Sequence, residues 1–146
     1  MSLLSVYDKG TIDVILDKVT FYPGNIIHGK ILLNLDAPIK ARKLSVTLAG
    51  VAHLRRGAFY TAFANCIVSP ESRDYKNAEI HEFELKIHED VLSRYRGALG
   101  LLRQTVSSPP NEFFLDASLD IPMKLDIHGR QTIEIINTVA EKQGRF

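Results

Sequence analysis

The chain has 146 residues, 45% hydrophobic and 24% charged, with a formal net charge of +1. That length accommodates one domain with one proper core, and the near-neutral balance removes any general electrostatic reason to expect nucleic acid or anionic lipid as a partner. Cys66 is the only cysteine, so no internal disulfide forms, which points to a reducing, cytoplasmic compartment.

The amino terminus has neither a basic start nor a long apolar stretch, so it does not read as a signal peptide. No run approaches the roughly 20 apolar residues that span a bilayer. The first strand is predicted over about 11–20, with Ile12, Val14 and Leu16 on one face. Tyr22-Pro23-Gly24-Asn25 reads as a type II turn, because proline pre-sets φ and glycine supplies the positive φ that follows. The second strand, about 26–35, aligns Ile27, Gly29, Ile31, Leu33 and Leu35, and Pro38 closes it because proline cannot donate to a ladder. The third, about 41–53, turns Leu44, Val46, Leu48 and Gly50 inward.

Residues 54–78 break the rhythm. The uncharged run Ala58–Val68 reads as an additional core strand or as an extended tip, and 69–74 as a polar loop. A fourth strand, about 79–88, sets Phe83, Leu85 and Ile87 against Glu82, Glu84 and Lys86. Over 89–104, Val91, Leu92, Tyr95, Ala98, Leu99 and Leu102 recur at helical spacing, which predicts one amphipathic helix. A fifth strand, about 111–121, carries Phe113, Leu115, Ala117, Leu119 and Ile121. A short piece with Leu125 and Ile127, a turn at His128-Gly129-Arg130-Gln131 and a last strand with Ile133, Ile135 and Val139 complete the pattern. A run of strands without βαβ alternation implies two packed antiparallel sheets: an all-β, immunoglobulin-like sandwich in a single domain over 1–146, with one helix inserted late.

The stretch Val19-Thr20-Phe21-Tyr22-Pro23-Gly24-Asn25-Ile26-Ile27-His28-Gly29-Lys30-Ile31 resembles the amino-terminal lobe of the arrestin family, in which a strand and a Tyr/Phe-x-Gly turn precede hydrophobic residues around a second glycine. Ala37 to Gly50, a basic linker before a strand ending in glycine, is similar to the continuation, and Leu115 to Pro122 to the strand that ends that lobe. The similarity runs over about residues 11–139, with the α-arrestin and retromer-subunit branches nearest in pattern. It implies a sandwich that serves as an adaptor for other proteins, in trafficking or signalling. The chain has one lobe where arrestins typically have two, so the two-lobe clasp and its polar core do not carry over. Lys18 stands alone where phosphate-sensing members gather lysines.

Catalytic chemistry finds little footing. His81 and His88 are seven apart on a predicted strand and point to opposite faces, which prevents joint chelation. Cys66 lies in an uncharged run, where lone cysteines are commonly packing residues, and no glycine-rich phosphate loop, nucleophile elbow or HExxH motif is present. The expectation is therefore a non-enzymatic module without cofactor or metal. Its candidate partner-binding residues are the basic group Lys40, Arg42 and Lys43, with Arg55 and Arg56 as further members, and the aromatics Phe59 and Tyr60. Neighbouring cations can hold an acidic or phosphorylated peptide, and exposed aromatics anchor protein interfaces; the plainer reading of the cations is a solvated strand edge. Two further routes to partners are strand addition at an exposed sheet edge and self-association of the lone lobe. The alternative is a small-ligand or carbohydrate-binding sandwich, for which Tyr60 and Tyr75 are the available aromatics.

Overall fold

The computed structural model describes residues 10–54, 57–91 and 112–136. Its strands are β1 (Gly10–Leu16), β2 (Thr20–Phe21), β3 (Ile26–Leu35), β4 (Ile39–Ala41), β5 (Leu44–Leu54), β6 (Gly57–Ser69), β7 (Arg73–Tyr75), β8 (Ile80–Lys86), β9 (Glu112–Leu119) and β10 (Ile127–Ile135). They form a three-stranded sheet, β1-β3-β8, a five-stranded sheet, β2-β10-β9-β5-β6, and a two-stranded ribbon, β4-β7. Pairing is antiparallel except between the short β2 and β10. This is the antiparallel sandwich that the alternation predicts.

The period of two does the sorting. Ile27, Ile31, Leu33 and Leu35 of β3 meet Leu44, Val46 and Leu48 of β5, Phe83 and Leu85 of β8, and Phe113, Leu115, Ala117 and Leu119 of β9 in one buried cluster. Their alternate neighbours, such as His28, Lys30, Glu82 and Glu84, are exposed. Burying a large aliphatic or aromatic side chain is worth about 1.5–3 kcal/mol, so this cluster dominates the stability of the fold. Gly24, at φ 92°, occupies the third position of the predicted type II turn, closed by the Asn25 N–H donating to the Tyr22 carbonyl at 3.0 Å.

Two expectations need correction, the turn at 128–131 and the polar loop at 69–74. No turn interrupts residues 128–131: β10 runs unbroken through them, and the hairpin connection to β9 lies earlier, at 120–126, where Leu125 is 78% exposed. Gly129 marks a close approach of two backbones instead. A Cβ there would lie 2.0 Å from the carbonyl oxygen of Ile12, so only glycine lets β1 cross β10. Residues 57–69 form one long strand, and the stretch read as a polar loop contains β7. The predicted helix, beyond Val91, and Val139 lie outside the described residues. Val91 itself is buried in the core.

β6 also shows why its pattern resists a simple reading. Leu48 pairs with Ala64 and Ala49 with Ala62, so Phe63 is an extra residue, a β-bulge. The bulge switches the inward face: Phe59 and Phe63 meet the core before it, and Ala64, Cys66 and Val68 after it.

Candidate functional site

The outer face of the five-stranded sheet carries a second, smaller apolar cluster of Ala49, Val51 and Phe114. Phe114 lies between Phe113 and Leu115, both in the main core, so alternation turns it to the opposite side of the sheet. β5 and β6 set Val51 opposite Tyr60, and β9 and β10 set Asp116 opposite Arg130. Phe114 and Arg130 then meet as diagonal neighbours, and Tyr60 reaches Phe114 across β5. The Tyr60 ring stands edge-on to Phe114 with centroids 6.1 Å apart, and the Arg130 guanidinium lies 4.6 Å over Phe114 and 5.8 Å from the Tyr60 centroid. Asp116 orients the group: its Oδ1 is 3.2 Å from His128 Nδ1 and 3.9 Å from Arg130 Nε. Tyr60 remains 55% exposed. An arginine laid on an aromatic face gains about 0.5–1 kcal/mol at such a site, so the platform is ordered while its upper surface stays open. Phe59, by contrast, is half-buried and packs against the core.

Of the predicted basic group, Lys40 lies on β4 and Arg42 and Lys43 between β4 and β5; Arg55 and Arg56 lie outside the described residues. The structure supplies a different companion, Lys124. A cleft of about 410 Å³ opens between the segment Asp36–Lys40 and the loop after β9, with Lys40 and Lys124 on it and Ile39, Ile121, Pro38 and Pro122 among its lining. The Arg42 N–H donates to the Asp120 carbonyl at 2.8 Å, and the Asp120 N–H to the Lys43 carbonyl at 3.0 Å, which fastens the other two cations beside the same loop. Nothing in the linear spacing announces Lys124; only the β5–β9 pairing brings it there.

The loop itself is unusual. Ile121-Pro122-Met123-Lys124 forms a turn with the Lys124 N–H directed at the Ile121 carbonyl at 3.4 Å and Met123 at φ 58°. Proline second and positive φ third is the type II pattern, in which the third position favours glycine. Methionine there costs about 1 kcal/mol relative to an unstrained backbone, and its side chain is 100% exposed. The Asp126 carboxylate accepts the Ile121 N–H at 3.0 Å and holds the turn in place.

A third polar constellation fastens the β4-β7 ribbon. Arg73 donates through Nη2 to Glu79 Oε1 at 2.7 Å and through Nη1 to Oε2 at 3.1 Å, and through Nε to Glu71 at 2.9 Å. Glu79 also accepts the Lys76 N–H and lies 2.9 Å from His81 Nε2. These bonds, that from Arg73 foremost, hold the Glu79 carboxyl down at about 2, against the desolvation that opposes it. Beneath Arg73, Tyr75 is fully buried and donates its hydroxyl to the Glu71 carbonyl at 2.7 Å. Tyr75 is therefore unable to line a ligand pocket with Tyr60, which removes that pair from the small-ligand reading. The network has the form of a structural clasp. Among the described residues no three His, Cys, Asp or Glu side chains are grouped to hold a metal ion, and no helix is long and apolar enough to cross a membrane.

No protein-family model and no curated protein matches the sequence. Among solved structures, the sporulation control protein Spo0M of Bacillus subtilis superposes with a TM-score of 0.64 at 16% identity, over 87% of this chain and 49% of that one. The chain thus spans about half the length of that protein, and the likeness establishes a shared fold. A conjugative transposon lipoprotein from Bacteroides eggerthii, at 6% identity over 86% of this chain and 97% of its own, reaches only 0.39. The CARDB domain of the PF1109 protein from Pyrococcus furiosus, at 8% identity over 89% and 91%, also reaches 0.39. Neither of these two bears on function.

Proposed function

We propose that this domain is a non-enzymatic protein-binding module, an adaptor or scaffold of arrestin-like type acting in the cytoplasm in trafficking or signalling. The observation that carries the reading is the platform of Tyr60, Phe114 and Arg130 on the open face of the five-stranded sheet. Tyrosine and arginine are the side chains most enriched among residues that dominate binding energy, and they do so where an apolar centre lets water be excluded. Here Ala49, Val51 and Phe114 supply that centre, and Asp116 and His128 supply a polar rim. The lone Cys66, half-buried and free, accords with a reducing compartment.

The test is affinity capture with the intact chain immobilised, comparing wild type with Tyr60→Ala and with Arg130→Glu. A Lys30→Glu variant, on the outer face of the other sheet, serves as the control. The expected result is a set of stoichiometric partners lost from both platform variants and kept by the control. Partners retained by both platform variants would contradict this surface.

A further inference from the structure

We infer that the end of the sandwich bearing the β9–β10 loop docks on an anionic lipid surface, with Met123 and Leu125 entering the interface and Lys40, Arg42, Lys43 and Lys124 facing the headgroups. This inference stands apart from the protein-binding platform. Tyr60 pairs with Val51, whereas the loop leaves β9 where Leu119 pairs with Leu44, seven residues back along β5. At about 3.3 Å per strand residue the two sites are roughly 23 Å apart along the sheet, so one does not occlude the other.

Three observations converge on the loop. Met123 is 100% exposed and Leu125 78%, two apolar side chains that project from a tip, a shape suited to insertion and not to covering a flat partner. Methionine stands at a left-handed position where glycine is the relaxed choice, so the exposed apolar group sits there at a backbone cost. Cations surround the tip: Lys40 and Lys124 share the cleft, while the backbone bonds through Asp120 hold Arg42 and Lys43 alongside, and none of the four is ion-paired to a described residue. Four carboxylates lie near these cations: Asp126 is turned into the loop as the acceptor of the Ile121 N–H, Asp36 lines the cleft, Asp74 stands opposite Lys40 across β4 and β7, and Asp120 lies between Arg42 and Lys43 in the backbone pairing. Apolar insertion and electrostatic attraction are each weak alone and sufficient together, which is the logic of peripheral membrane contact.

The experiment is cosedimentation of the full chain with vesicles of 30% phosphatidylserine in phosphatidylcholine, alongside vesicles of phosphatidylcholine alone and a soluble polyglutamate peptide. The inference expects sedimentation with the anionic vesicles, weakened by 0.5 M salt and about fivefold by Lys124→Glu. Met123→Asp combined with Leu125→Asp should lower the partition coefficient at least about tenfold. Asp36→Asn should strengthen binding. Met123→Gly separates the effect from folding: it relaxes the turn, leaves the melting temperature unchanged or higher, and still weakens binding. The inference is overturned if wild type ignores anionic vesicles, if the double aspartate variant sediments like wild type, or if the peptide binds and the vesicles do not.

Discussion

At the scale of single residues, two positions account for behaviour that composition does not reveal. Gly129 reads in the sequence as a turn signal, because glycine between polar residues ordinarily is one; its cause here is the Ile12 carbonyl 2.0 Å from where a Cβ would stand, a contact invisible without the tertiary fold. Gly129→Ala must push β1 off β10, and a loss of about 3 kcal/mol or more is expected in denaturant titration. Glu79 makes the second prediction. Its carboxyl is held at about 2 in the fold against an ordinary value near 4.5, so its contribution is fully present above pH 4.5 and disappears as pH falls towards 2. With partial solvent access that contribution is about 1–2 kcal/mol. Arg73→Ala should therefore lower stability by at least about that amount at pH 7, and the difference from wild type should shrink as pH falls towards 2, leaving the part due to the Tyr75 contact. Arg73 and Glu79 are six apart across a tight connection, and neither stands out in the sequence as one half of a pair. Lys124 is equally silent in the linear chain, whereas Tyr60 is visible at once because an aromatic in an uncharged run must be either core or surface.

Among elements, legibility follows periodicity. β3, β5, β8 and β9 alternate without interruption, and the residues that the alternation assigns inward build the main core. Leu33→Ala, which opens a cavity between the sheets, should cost about 2–5 kcal/mol, while Lys30→Ala on the same strand should cost less than about 0.5. β6 is harder to read because the bulge at Phe63 exchanges its two faces midway, so no single period fits thirteen residues. Deleting Phe63 would join Ala62 to Ala64 in one unbroken alternation, leave both halves of β6 facing the core and remove one buried aromatic. A cooperative unfolding transition, shifted down by about 3–5 kcal/mol, is the expected outcome in denaturant titration. β7 escapes notice for a simpler reason. Three residues rich in charge, held by Tyr75 and the Arg73–Glu79 clasp, carry no alternation at all.

On the scale of the whole molecule, the two faces of the sandwich and the end that bears the β9–β10 loop have distinct chemistry. The three-stranded sheet turns charged side chains outward, with His28 and Glu84 3.3 Å apart on its solvent face. The five-stranded sheet instead exposes an aromatic–arginine platform, and the loop at the far end of β9 exposes methionine and leucine among lysines. The core fixes these two surfaces relative to each other, as the proposed adaptor role requires. The most direct measurement is amide chemical-shift mapping of the full chain titrated with its captured partner. The account predicts that the largest shifts fall at Val51, Tyr60, Phe114 and Arg130. Shifts centred instead on the outer face of β1, β3 and β8 would contradict it.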